Sequence, residues 1–172
     1  LVMLAGAVQG GFFMWAWYAW QPYFLELLED DAVWVAGVVA ALLALSMIAG
    51  NALVGFVTRF CGRRTTVMMW AAGVFTASMV LVGVAPAFWL ALGALLVAGV
   101  AMGVNGPVRQ TFVHGMVPTQ QRATVVSFDS MITGVAAVGG QTGLGFYSER
   151  AGYSAAYILG GAVTVLSLPL LW

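Results

Sequence analysis

Six runs of about twenty apolar residues follow one another in this chain with only short connections between them. They are Leu1–Pro22, Val33–Val57, Thr65–Ala85, Ala87 to beyond Val104, Ala123–Phe146 and Tyr153–Trp172. A helix crossing the hydrocarbon of a bilayer needs roughly 20 such residues. Of 172 residues, 62% are hydrophobic and 7% charged, with a mean hydropathy of +0.98. A water-soluble domain carries about 25% charged residues. Six runs without a polar face exclude a soluble core domain and predict an all-α integral membrane protein with six transmembrane helices. Net charge is zero, which gives no field for nucleic acid, and one Cys and one His exclude a disulfide framework and a clustered metal site. No nucleophile–base arrangement and no phosphate-cradling glycine loop is present. An enzyme is therefore not expected, nor any cofactor or metal.

Charge orients the helices. Glu26-Leu-Leu-Glu-Asp-Asp31, between the first two runs, holds four of the six acids. Gly55-Phe-Val-Thr-Arg-Phe-Cys-Gly-Arg-Arg64, between the second and third, holds three of the six cations, and no Lys occurs. Short loops rich in Arg stay in the cytoplasm. Arg59, Arg63, Arg64, Arg109 and Arg122 then lie inside, the four acids lie outside, and both ends are cytoplasmic. Ser148-Glu-Arg150 is expected to form the outer connection between the last two runs.

Gly55-Phe56 followed by Gly62 recurs as Gly145-Phe146 followed by Gly152, 90 residues on, with an amide (Asn51, Gln141) four residues ahead of each. Three helices repeated as three more, 1–85 and 86–172, form two inverted repeats, an arrangement found in secondary transporters. Among the 22 glycines, Gly99 with Gly103 and Gly139 with Gly143 have the spacing that lets helix backbones approach closely in lipid.

The stretch Gly55-x-x-x-Arg59-x-x-Gly62-Arg63-Arg64 resembles the cytoplasmic signature loop of the major facilitator superfamily, Gly-x-x-x-Asp-Arg-x-Gly-Arg-Arg. Arg59 stands where that pattern has an acid and Phe60 where it has a base, a departure that weighs against a charge-relay role. Asn105-Gly-Pro-Val-Arg109 through Pro118-Thr-Gln-Gln-Arg122 and on to Ser127 looks like the family's tenth helix, inner loop and eleventh helix. Gly145–Gly152 looks like its last outer loop. The resemblance covers the whole chain, as helices seven to twelve of a twelve-helix transporter. It implies alternating access, a lipid bilayer and a small-molecule substrate as partners, and a missing amino-terminal six-helix half of the same chain. It leaves the substrate open: drug-like efflux coupled to protons, a metabolite symporter or facilitator, or a non-transporting scaffold or sensor.

Asp129 lies seven residues past Arg122, roughly 10 Å along a helix, and so within the membrane. A charge at the bilayer centre costs about 2.5–3.5 kcal/mol, so Asp129 must be paired, protonated or facing water. With the hairpin turning near Thr119, Arg109 and Asp129 stand ten residues to either side and reach similar depth. This predicts an Arg109–Asp129 pair with a coupling or gating role, and a fourth helix that continues through Pro107. The alternative is an Arg109 that snorkels to the headgroups. Phe13, Trp17, Trp20 and Phe24 share one helical face and read as an aromatic wall, although Trp and Tyr also collect at membrane interfaces. Gln9, Trp17, Trp20, Gln21, Asn105 and Gln141 are the candidate cavity-lining residues. Ser130 and Thr133 are read as interhelical hydrogen-bonding groups, His114 and Cys61 as structural.

Overall fold

The computed structural model describes residues 1–29 and 33–171. Among these, five α-helices follow in order: α1 (Val2–Leu28), α2 (Val33–Cys61), α3 (Arg64–Val84), α4 (Phe88–Met116) and α5 (Arg122–Thr164). Short 3-10 turns stand at Thr119–Gln121 and Val165–Ser167. Among the described residues, four stretches are long and apolar enough to cross a membrane: α2, α3, α4 and Thr119–Ser167. Asp30, Asp31 and Trp172 lie outside the described residues.

Local chemistry sets the helix ends. The residue before a proline is pushed out of the helical region. Ala85, ahead of Pro86, is extended (φ −66°, ψ 123°) and ends α3, and Val117, ahead of Pro118, is extended (φ −117°, ψ 130°) and ends α4. Pro107 sits inside α4 without ending it, as expected.

Two expected connections are shorter than their sequences suggested. Gly55 and Arg59 belong to α2, which runs on to Cys61, so the turn into α3 is confined to Gly62 and Arg63. Ser148-Glu-Arg150 is helical, and the fifth and sixth apolar runs form one element broken only at Gly152 (φ 83°, ψ 164°). Both breaks fall where only glycine is unstrained: Gly62 and Gly152 are the positive-φ glycines among the described residues. Glu and Arg are good helix formers, so polar flanks such as Glu149-Arg150 wind into helix as readily as apolar ones.

The break folds α5 back on itself. Its first arm (122–151) passes Gly10 at Thr133 and shares a groove with Pro22 at Glu149. Its second arm (153–164) returns past Tyr23 at Tyr153 and past Phe12 at Gly160, and Ser167 beyond it reaches Gln9. The two arms therefore run antiparallel along α1.

Two helix crossings are built on missing side chains. Where α2 crosses α4, a Cβ on Gly50 would meet the Val100 carbonyl, and one on Gly103 the Met47 carbonyl. Where the first arm crosses α1, a Cβ on Gly140 would strike the backbone of Gly11. Gly99 packs on Ser46 and shares the first crossing. Gly139 and Gly143 do not make the second: both face open space, and their neighbour Gly140 makes the contact. The Gly139/Gly143 spacing does not mark this crossing, because the face of α5 toward α1 is set by Thr133, Ala136 and Gly140.

The main core surrounds the carboxy-terminal half of α1. Tyr157 is fully buried, with ring centroids 5.0 Å from Trp15 and 5.4 Å from Tyr23, and its hydroxyl donates to the Ala16 carbonyl at 3.1 Å. Phe24 stacks edge-on against Phe88 at 5.5 Å. Tyr23 donates to the Val82 carbonyl at 3.2 Å and Ser154 to the Gly83 carbonyl, tying α1 and the second arm to α3.

Candidate functional site

The first turns of α1, up to Gly11, have no such aromatic filling. Gly6, Gly10 and Gly11 leave room there, and α4 and α5 use it for charge. Arg109 Nη2 on α4 donates to Asp129 Oδ1 on α5 at 2.6 Å, with side chains 20% and 14% exposed. The guanidinium lies over Gly6, where a Cβ would overlap Nε, Cζ and Nη2. Three helices thus meet at one ion pair. It stands in the wall of a cleft of ≈ 620 Å³, lined also by Gln110, His114, Ser130 and Thr133 and by Phe13 and Met14 of α1.

Behind the pair, a line of buried polar groups crosses the bundle. Asn105, one turn before Arg109 on α4, donates Nδ2 to Gln9 Oε1 at 3.2 Å, and Gln9 Nε2 donates to Ser167 Oγ at 2.9 Å. Ser167 donates to the Thr164 carbonyl, and the Thr164 and Thr76 hydroxyls are 2.6 Å apart. Side chains of α4, α1, α5 and α3 are linked without an intervening charge. Such groups in lipid must find partners inside the protein.

The structure brings together some of the residues singled out by sequence and separates others. Arg109 and Asp129 touch. Gln9 and Asn105 touch each other in the interior and line none of the clefts described. Trp17 and Trp20 border a narrow apolar crevice with Phe13, Phe75 and Met102, holding only ≈ 20 Å³ of open volume, about one water. Three of the four aromatics thus share that side of α1, while Phe24 lies further along the helix, buried against Phe88. Gln21 is exposed and lines none of the clefts described. Gln141 borders a separate groove at the other end of α1, with Trp15, Tyr18 and Glu149. In the signature stretch, Arg59, Arg63 and Arg64 are exposed, and Arg64 Nη1 reaches the Thr111 carbonyl of α4 at 3.5 Å.

Ser130 and Thr133 make no hydrogen bond among the described residues and face the cleft instead, as does His114. Sequence reasoning missed Gly6, though Gly6 and Gly10 have the same four-residue spacing as the pairs it noticed. It also missed the Thr76–Thr164 contact, whose partners lie 88 residues apart with no local signal.

The fold has counterparts among known proteins. Residues 2–172 match the profile of the Major Facilitator Superfamily. The chain belongs to that family. It is a multi-pass membrane protein with the family's transporter fold. It superposes on the proton:xylose symporter XylE bound to 6-bromo-6-deoxy-D-glucose with a TM-score of 0.78 at 18% identity, over 99% of this chain and 43% of that one. The inward open conformation of the xylose transporter XylE from E. coli gives 0.76 at 18% identity, over 99% and 46%. The chain thus spans less than half the length of these transporters, and at such identity the likeness is one of fold. No curated protein sequence matches it.

Proposed function

We propose that this chain is the carboxy-terminal half of a secondary active transporter that moves a small organic molecule by alternating access, coupled to protons. The observation that carries the reading is the Arg109–Asp129 pair in the wall of a ≈ 620 Å³ cleft. Charge is expensive within a membrane and marks transport pathways and relays. A pair joining α4 to α5 holds the cleft in one geometry, and neutralising Asp129 releases it.

The bundle is read as two three-helix repeats, 1–85 and 86–172, inverted in an inner (plasma) membrane. The repeats have matching parts. α2 crosses α4 through glycine as the first arm of α5 crosses α1, and the turn glycines Gly62 and Gly152 stand 90 residues apart. With the arms of α5 counted separately, six crossings put Arg59, Arg63, Arg64, Arg109 and Arg122 on the cytoplasmic side, and both ends with them. The signature residues Gly55, Arg59, Gly62, Arg63 and Arg64 then form the inner turn, where Arg64 holds the end of α4.

Export of a drug-like molecule is the first reading, favoured by Phe13, Trp17 and Trp20, which share one apolar side of α1. Proton-coupled uptake of a metabolite is the second reading, favoured by the fold shared with a proton:xylose symporter. The protein at its native length, reconstituted in proteoliposomes containing a pH-sensitive dye, tests both. Candidate substrates should drive proton movement, outward or inward according to the mode, and Asp129→Asn should abolish it while leaving substrate exchange. A scaffold would move no protons with any substrate.

A further inference from the structure

Arg109 uses only part of its donor fork. Nη2 is bound to Asp129, but Nε is buried with no acceptor among the described residues. One turn earlier on the same helix, Asn105 is 9% exposed, and its Oδ1 is buried with no donor. The two unpartnered atoms are of opposite kind. Side chains four apart on a helix lie about 5–6 Å from each other at Cβ, and both of these face α1, Asn105 through Gln9 and Arg109 over Gly6. Buried polar atoms are partnered as a rule. Here donor and acceptor lie one turn apart on the α1 side of α4.

We propose that Asn105 is a second seat for the Arg109 guanidinium, which is shared between Asp129 on α5 and Asn105 on its own helix. The idea rests on reading Arg109 and Asp129 as the working pair of the transporter. While Asp129 is ionised, Nη2 holds α5 and Nε turns toward Asn105, through one water where the gap requires it. When Asp129 is neutralised, the guanidinium moves onto Asn105 Oδ1 and stays partnered inside the bundle. Pro107, between the two residues, removes the N–H that would bind the Gly103 carbonyl, which loosens the turn that must adjust. Asn105 also holds Gln9, which holds Ser167. The state of Asp129 on the first arm of α5 is thereby passed to the far end of the second arm. Asn105 acts through Arg109 and is a positioning residue.

Relocating the charge is the test. The native-length protein is placed in lipid nanodiscs, and thermal unfolding is compared for wild type, Asp129→Asn, Asn105→Leu, both together, and Asp129→Asn with Asn105→Asp. A second seat predicts that Asn105→Leu lowers the melting temperature at least twice as far in the Asp129→Asn background as in wild type. It also predicts that moving the carboxylate to position 105 brings the melting temperature back to within about 2 °C of wild type, a shift worth under 1 kcal/mol for a domain of this size. An Asn that serves only Gln9 gives equal losses in both backgrounds, and the relocated carboxylate melts below Asp129→Asn alone; either result overturns the proposal. If the Leu variants do not insert, the relocated pair decides, and its failure to fold also counts against the idea. No transported substrate is needed, so a failed transport assay leaves this outcome readable.

Discussion

The two halves of α1 do opposite work on one continuous helix. The carboxy-terminal half is filled: Trp15, Trp20, Tyr23 and Phe24 are nearly inaccessible and close around Tyr157 and Phe88. The amino-terminal half is hollowed by Gly6, Gly10 and Gly11, and its space goes to an ion pair, a polar chain and an open cleft. Lipid is as apolar as a leucine side chain, so helices in a membrane associate through packing and hydrogen bonds more than through burial itself. Large rigid rings give many contacts and fix one arrangement. Glycines and exchangeable polar partners give fewer and permit more than one. If the charged end rearranges as proposed, the aromatic end is its anchor.

The most severe way to break the contrast is at the anchor. Tyr157→Ala removes a fully buried ring and its bond to the Ala16 carbonyl. Large-to-small changes of aromatic residues in a packed core cost about 3–5 kcal/mol, so the native-length protein should lose several degrees of melting temperature in detergent. Loss of less than about 1 kcal/mol would mean that the anchor is redundant.

At the charged end, the two members of the pair should differ. Arg109→Leu strands the Asp129 carboxylate. Breaking a buried pair from one side costs about 3–5 kcal/mol, and partial exposure here brings the expectation to about 2–3 kcal/mol. Asp129→Asn keeps a hydrogen-bonding amide beside Arg109 and should cost about half as much or less. Equal losses in thermal unfolding would erase the asymmetry, and with it the view of this end as adjustable.

The glycine crossing between the halves comes next. Gly140→Val drives a side chain into the Gly11 backbone; overpacking of this kind costs about 1–3 kcal/mol. Gly143→Val, three residues on and facing open space, should stay within about 0.5 kcal/mol in this chain's own stability. A loss at Gly143 as large as that at Gly140 would show that the open face is covered in the native-length protein.

How much of this could be read from the sequence follows the same division. The apolar runs, the Arg109–Asp129 contact and the continuity of α4 through Pro107 were legible because each depends on spacing within a hairpin. The glycines at the α1 crossing were legible as a class, but the packing face was not: Gly139, Gly140 and Gly143 are equivalent until α1 is in place. The extent of the aromatic wall was not legible for the same reason. A shared helical face at Phe13, Trp17, Trp20 and Phe24 does not say which of several neighbours that face meets. The connection at Ser148–Arg150 was misplaced because a glycine able to adopt positive φ, Gly152, makes the turn alone. The reach from Asn105 through Gln9 to Ser167 joins residues up to 158 apart and has no local signature.

The smallest expected effect lies on that polar chain. Thr76→Val replaces a hydroxyl with a methyl group of similar size and removes the contact to Thr164, which keeps its bond to the Gly161 carbonyl. Interhelical hydrogen bonds in membranes average about 0.6 kcal/mol, and because Thr164 remains partnered the loss should not exceed that. Gln9→Leu, by contrast, cuts the chain in its middle and removes the bonds to both Asn105 and Ser167, so about 1–2 kcal/mol is expected. If the chain only fastens helices, the two variants differ in melting temperature alone. If it carries the state of Asp129 along α5, Gln9→Leu also changes how far Asp129→Asn shifts the melting temperature, and Thr76→Val, beyond the Ser167 junction, does so less.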